Sequence, residues 1–275
     1  DDDYIYGGVF NLDTNKPLNH QAEQWPHFKG GFSEYCYLFP GTYVWKVPED
    51  MPGEVAALLD PCAVAMRAVE QVMTSIGGTG EGFSLTSRCV VIGAGAISIM
   101  TAMILKSMGA KQVIITDFFD EKLAKAKEIA NVDITVNVAK MTSEERVAKI
   151  LELTDGGAEV VINGANHPST CVEGLQMVRK LGYYVEIGNA LDFGRGLKSE
   201  INIPLVVFER NAHITSVVAN TPQCFNRAFE YLKRWRELPF QKLITHRFTK
   251  LEDIIPVMKQ MGNPDFIKAS CTFED

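Results

Sequence analysis

No apolar run in this 275-residue chain approaches the roughly 18 residues that a membrane-spanning helix needs, so no membrane partner is implied. Positive charge is short as well. With 27 Lys and Arg against 34 Asp and Glu the formal net charge is −7, and no basic cluster outweighs it, which argues against a nucleic-acid partner. Asp1-Asp2-Asp3 lacks the basic-then-apolar order of a secretory signal, so a cytoplasmic location is expected. The six cysteines (Cys36, Cys62, Cys89, Cys171, Cys224, Cys271) contain no C-x-x-C spacing and read as reduced core thiols. His20, His27, His167, His213 and His246 show no i, i+4 pair, so spacing alone reveals no metal cluster.

What is present is an ordinary globular composition, 46% hydrophobic and 22% charged, over a length that suits two domains. Its most informative stretch is Val90-Val91-Ile92-Gly93-Ala94-Gly95-Ala96-Ile97-Ser98. A β-branched run leads into a glycine-rich turn, and a helical pattern follows (Ile97, Thr101, Ile104, Leu105, Met108) that stops at Gly109. Gly93 serves the tight turn, Gly95 admits a pyrophosphate, and the N–H groups of Ala96 and Ile97 face that anion at a positive helix end. Ser98 stands where a third glycine is usual, and its small side chain suits close helix–strand packing.

Asp117 ends the second β-rich run, 19 residues after Ser98 (98 to 117), where a dinucleotide fold places a carboxylate against the adenosine ribose. It favours NAD over NADP, because a 2′-phosphate would meet like charge there and no arginine follows within the next turn. The plainer reading is that Asp117 caps the following helix. Lys122, on that helix, is placed to reach a ribose hydroxyl.

Strands are expected at Cys89–Ile92, Val113–Thr116, Ile134–Val138, Glu159–Asn163 and Tyr183–Ile187, with helices near 97–108, 120–130, 143–153 and 169–181 between them. Ile214–Ala219 would be a sixth strand. The alternation predicts an α/β fold with a doubly wound, six-stranded parallel sheet of the Rossmann kind. Thr142 with Glu145 forms a capping box, Pro168 opens the next helix, and Gly182 is expected to follow its end. Residues 1–50 read as irregular β structure with strand-like pieces at Tyr4–Val9 and Phe32–Phe39; 53–73 read as helical on both sides of Asp60-Pro61. After Thr221-Pro222, which opens a helix, strands are expected at Leu243–Phe248 and Lys268–Phe273 around a helix near 252–261.

Gly30-Gly31-Phe32-Ser33-Glu34-Tyr35, Val47-Pro48-Glu49-Asp50, Leu59-Asp60-Pro61, the Gly93–Ser98 turn, Asp117 and Leu243-Ile244-Thr245-His246-Arg247-Phe248 occur in an order that resembles medium-chain, zinc-type alcohol dehydrogenases. The resemblance runs along essentially the whole chain and is nearest the polyol (sorbitol) and threonine dehydrogenase branch, which carries an acid-Pro pair where alcohol dehydrogenases proper carry a zinc-binding cysteine. It implies NAD and zinc as cofactors, a small alcohol or ketone substrate, and hydride transfer from a secondary alcohol or polyol. Residues 1–60 would then be the remnant of a β-rich, GroES-like catalytic domain, 61–220 the dinucleotide-binding domain, and 221–275 a return to the catalytic domain.

By the same resemblance Asp60 matches an acid that ligates zinc directly or through water, and is the candidate catalytic and metal residue; Lys122 matches a ribose contact and Lys268 a residue that reaches the pyrophosphate. The backbone around Ile187-Gly188 and Val217–Ala219 would line the nicotinamide. The other zinc ligands and the structural-zinc lobe have no counterpart in the sequence, so this segment reads as the C-terminal portion of a longer enzyme and is expected to bind NAD(H) without turning over an alcohol. The alternatives are a zinc-free reductase of the quinone oxidoreductase type, disfavoured by Asp117, and an inactive NAD-binding module. The uncharged run Ile214-Thr215-Ser216-Val217-Val218 would form an unprotected sheet edge, so a homodimer or homotetramer is expected, with a lysine at Val217 weakening it.

Overall fold

A computed structural model describes residues 31–38, 40–73, 82–188 and 198–272. Six strands, β1 (Arg88–Ile92), β2 (Gln112–Asp117), β3 (Ile134–Asn137), β4 (Ala158–Asn163), β5 (Val178–Glu186) and β6 (His213–Ser216), form one sheet in the order β3-β2-β1-β4-β5-β6. Every pairing is parallel. The doubly wound architecture expected from the βαβ alternation is therefore present, with its switch point between β1 and β4.

Because strands in such a sheet are covered on both faces, the central ones are apolar in both directions. Cys89, Val91, Val113, Ile115, Tyr183 and Val185 face one core with α2 (Leu59–Met73), α3 (Ala96–Ser107), α4 (Asp120–Ala130) and α7 (Pro222–Arg234). Val90, Ile92, Ile114, Val161 and Tyr184 face the other with α5 (Ser143–Leu153) and α6 (Pro168–Met177). Local signals set the helix starts. Thr142 and Glu145 form the reciprocal capping box of α5, His167 caps α6 with Pro168 at its first turn, and Thr221 caps α7.

Several expectations need correction. Helix α6 stops at Met177 and not near 181. Its end is set by Arg210, whose guanidinium donates to the carbonyls of Leu175, Gln176 and Val178 and so satisfies groups that have no partner within the helix. Val178 then starts β5, and Leu181, at φ +61°, donates its N–H to the Arg210 carbonyl ahead of the main β4 pairing. The first helical stretch divides at Ala57-Leu58, after α1 (Gly53–Ala56), so that Asp60-Pro61 falls inside the first turn of α2.

Residues 32–38 form no strand, and Phe32 and Tyr35 are exposed, with no neighbouring strand among the described residues to pair them. Tyr4–Val9 lies outside the described residues. Of the cysteines, Cys62, Cys89 and Cys224 are buried as expected, but Cys36 is exposed; none forms a disulfide.

At the C-terminal end β7 (Ile244–Phe248) and β8 (Lys268–Cys271) pair as a separate two-stranded sheet, flanking a short helix α8 (Ile254–Met258). Leu243, Ile244 and Ile267 anchor it to the core that covers α3 and α4, and Lys242 pairs with Glu128 of α4 at 2.9 Å.

Strand β6 occupies one end of the large sheet. Its solvent-facing apolar groups are Ile214 and, just beyond it, Val218; Val217 points inward and is only 7% exposed. A lysine at Val217 thus probes the core and not an edge contact. Val217→Lys is expected to lower unfolding free energy by about 3–5 kcal/mol, as an unpaired buried charge does, when urea unfolding of variant and parent is compared; an unchanged midpoint would contradict this packing.

Candidate active site at the switch point

The turn after β1 is held from both sides. Gly93 donates its N–H to the Thr116 carbonyl at 2.8 Å, and Ile92 accepts from Gly164 N–H at 2.9 Å, which ties the end of β1 to β2 and β4. Gly93 sits at φ +88°, and a Cβ there would lie 3.3 Å from Ala165 N, so both conformation and space favour glycine. Ser98 is 1% exposed and rests against Gly164, where a Cβ would meet Ser98 Oγ at 2.2 Å. The serine in the third fingerprint position therefore packs as tightly as its size allows.

Gly95 is different. Its φ of −80° is open to any residue, and among the described residues a Cβ would meet nothing within 4 Å. What this glycine supplies is empty volume directly before the N-terminus of α3. That terminus has no side-chain cap bond among the described residues and no acid in its first turn, so the dipole and the first N–H groups, those of Ala96 and Ile97 among them, are left without an intrahelical partner.

Asp117 ends β2 beside this turn. Its Oδ2 accepts from Ala94 N–H at 2.7 Å and its Oδ1 from Phe119 N–H at 3.0 Å. The helix α4 has Phe119 as its N-cap, with no side-chain cap bond, so Asp117 is not the helix cap that the plainer reading supposes. Two acceptor positions are used and about two remain for further donors. Lys122 lies one turn into α4 with its ammonium 5.3 Å from the Phe119 ring centroid.

Sequence reasoning missed the groups that complete the cleft. Arg146 of α5 stacks on Phe118, 5.0 Å from the ring centroid, and pairs at 3.1 Å with the buried carboxylate of Glu173 on α6. These residues line a cavity of about 50 Å³ with Gly93, Asp117 and Ala165. Nothing local announces a pair 27 residues apart. On the other side of the switch point Gly188 is buried; a Cβ there would come within 2.1 Å of the Ala165 carbonyl oxygen.

The remaining candidates are not brought to this cleft by any hydrogen bond or ion pair among the described residues. Lys268 begins β8, opposite Ile244. Asp60 is exposed in α2, and Cys62, two residues on, is buried with its thiol pushed up to about 12 by desolvation. Among the described residues no group of three or more His, Cys, Asp and Glu is placed to hold a metal ion, so they do not fit a tetrahedral zinc, which takes at least three protein ligands.

Comparison with known proteins bears on the same region. The family model for zinc-binding dehydrogenases matches residues 96–234, just over half of the chain. The chain is 28% identical over 221 residues to sorbitol dehydrogenase of Mus musculus, covering 77% of this chain and 54% of that protein. It is 29% identical over 225 residues to erythritol/L-threitol dehydrogenase of Mycolicibacterium smegmatis, covering 81% and 56%. An alcohol dehydrogenase structure from Thermotoga maritima superposes with a TM-score of 0.79 at 25% identity, covering 92% of this chain and 66% of that one. The chain spans about half the length of the curated relatives it matches. With the parallel sheet, the glycine turn and the matched region in agreement, this chain belongs to the zinc-binding dehydrogenase family.

Proposed function

We propose that the chain is the cofactor-binding part of an enzyme that oxidises a secondary alcohol or polyol with NAD, reversibly. The observation that carries this reading is the vacant volume at Gly95 before the uncapped N-terminus of α3, with the Asp117 carboxylate fixed beside it. When bound, NAD supplies the hydride acceptor. The chain's own groups then have distinct tasks: Ala96 and Ile97 offer N–H groups to the pyrophosphate, and Asp117 accepts from the adenosine ribose hydroxyls and repels a 2′-phosphate. Lys122 adds a donor near that ribose, and Lys268 is assigned to the pyrophosphate. The turn at Gly188 lines the nicotinamide half.

In this reading residues 61–220 form the cofactor-binding unit, with 1–60 and 221–275 belonging to the catalytic domain. Asp60 is kept as the candidate metal and catalytic residue, and zinc as the family's cofactor; neither enters a step here. The sorbitol and erythritol dehydrogenases among the relatives support a polyol or similar secondary alcohol as substrate.

Fluorescence titration of the chain with NADH and NADPH tests the cofactor reading. NADH is expected to bind more tightly. Asp117→Gly removes charge-assisted hydrogen bonds worth about 1.5–3 kcal/mol, so the NADH-over-NADPH preference is expected to fall at least roughly tenfold. Because Asp117 also anchors Ala94, the variant is expected to lose some affinity for both cofactors. An unchanged preference would mean that Asp117 serves the turn alone.

The same reading extends to assembly. The free edge of β6, with Ile214 50% and Val218 49% exposed, supports a homodimer formed edge to edge, or a tetramer built from it. Light scattering is expected to give at least twice the 30.5 kDa chain mass, and Ile214→Lys to shift it toward one chain. A monomer at micromolar concentration in the parent protein would refute the assembly.

A further inference from the structure

Strand β5 ends in a carboxylate directly after the buried, uncharged run Gly182-Tyr183-Tyr184-Val185. Glu186 Oε2 accepts from Asn163 Nδ2 at 2.8 Å and from the Tyr184 hydroxyl; Oε1 accepts from Gly188 N–H at 2.7 Å. Asn163 is fully buried and Tyr184 is 1% exposed. Among the described residues Glu186 forms no salt bridge, so three neutral donors hold the group. Glu186 itself is half-buried, and withdrawing even part of a carboxylate from water costs free energy that neutral donors offset only in part, where an apolar side chain is the usual choice in a parallel strand. A local rule broken in this way marks a place where something other than stability is served.

The network joins two turns. Asn163 Oδ1 accepts from Ala165 N–H at 3.2 Å, and its Nδ2 also donates to Thr170 Oγ1 at 3.0 Å, which in turn donates to the His167 carbonyl at 2.7 Å. On the β5 side Glu186 holds Gly188, whose missing side chain lets the Ala165 carbonyl approach. Both turns stand beyond the C-terminal ends of β4 and β5, across the switch point from Asp117. A doubly wound sheet divides a dinucleotide between its two halves at that point. With the adenosine ribose at Asp117, the turns after β4 and β5 fall to the other nucleotide.

We propose that Glu186, together with Asn163 and Tyr184, is a positioning residue that fixes the Ala165 and Gly188 turns as the seat of the cofactor's nicotinamide half. It rests on the dinucleotide reading above. Glu186 acts through the backbone it holds, and an amide in its place sets a further pair of N–H donors against the donors already present.

The test compares two ligands that share the adenine half, NADH and ADP-ribose, titrated into the full 275-residue chain and its variants. For Glu186→Gln the Kd for NADH is expected to rise about tenfold while that for ADP-ribose stays within about twofold. Tyr184→Phe, which removes one hydroxyl, is expected to move the NADH value in the same direction by less, and carries the comparison if the glutamine variant does not fold. Equal weakening of both ligands, or no change in either, would assign the network a purely structural role and overturn the proposal. If the parent chain binds neither ligand, the dinucleotide reading falls and this inference with it; if it binds both and the variants do not discriminate, only this inference falls.

Discussion

The turns that leave β1, β4 and β5 must pass one another at van der Waals distance, and much of the molecule's C-terminal sheet edge follows from that crowding. Parallel strands about 4.8 Å apart bring their exits together on one edge, where each chain must turn before it reaches its helix. At Gly93 and Gly188 the neighbouring backbone, in both cases that of Ala165, occupies the place of a side chain. Ala165 is thus the common wall of the two halves of the cleft. Displacing it would move the start of α3's turn and the Gly188 turn together.

Polar groups then fix what the crowding allows. On the β2 side Asp117 holds Ala94, so the acid that the proposed function assigns to the ribose also sets the shape of the turn before α3. On the β5 side Glu186 holds Gly188. Each half of the edge carries a carboxylate accepting a backbone N–H from the turn it faces. These bonds replace water that the turns would otherwise need.

The parts of this arrangement that were legible in the sequence are those with a local cause. Val90–Ser98 carries turn, strand and helix signals within nine residues (90 to 98), and Thr142 with Glu145 encodes its cap in three steps of chain. The doubly wound, six-stranded parallel sheet followed from the alternation of strands and helices. What could not be read depends on distant chain. The Arg146–Glu173 pair and the early end of α6 come from side chains that meet only after folding. Phe32–Leu38 has strand composition but no partner strand among the described residues, and composition alone does not supply one. Glu186 did leave a trace, as a charge inside Tyr183-Tyr184-Val185-Glu186-Ile187, that the apolar reading of the strand passed over.

Arg210 ties two elements together through one side chain. Its guanidinium closes α6, a helix on the inner face of the cleft, while its own backbone carbonyl receives Leu181 N–H and lies three residues ahead of the edge strand. The connection between β5 and β6 is therefore pinned at its far end to the helix that carries Glu173. A displacement of the outermost strand, such as an encounter with another sheet would impose, reaches the wall behind Phe118 and Arg146 through this planar cation, beside the Ser199 bond to the Pro168 carbonyl and the packing of Val206. The outer rim of the molecule and the floor of its cleft are thereby mechanically joined.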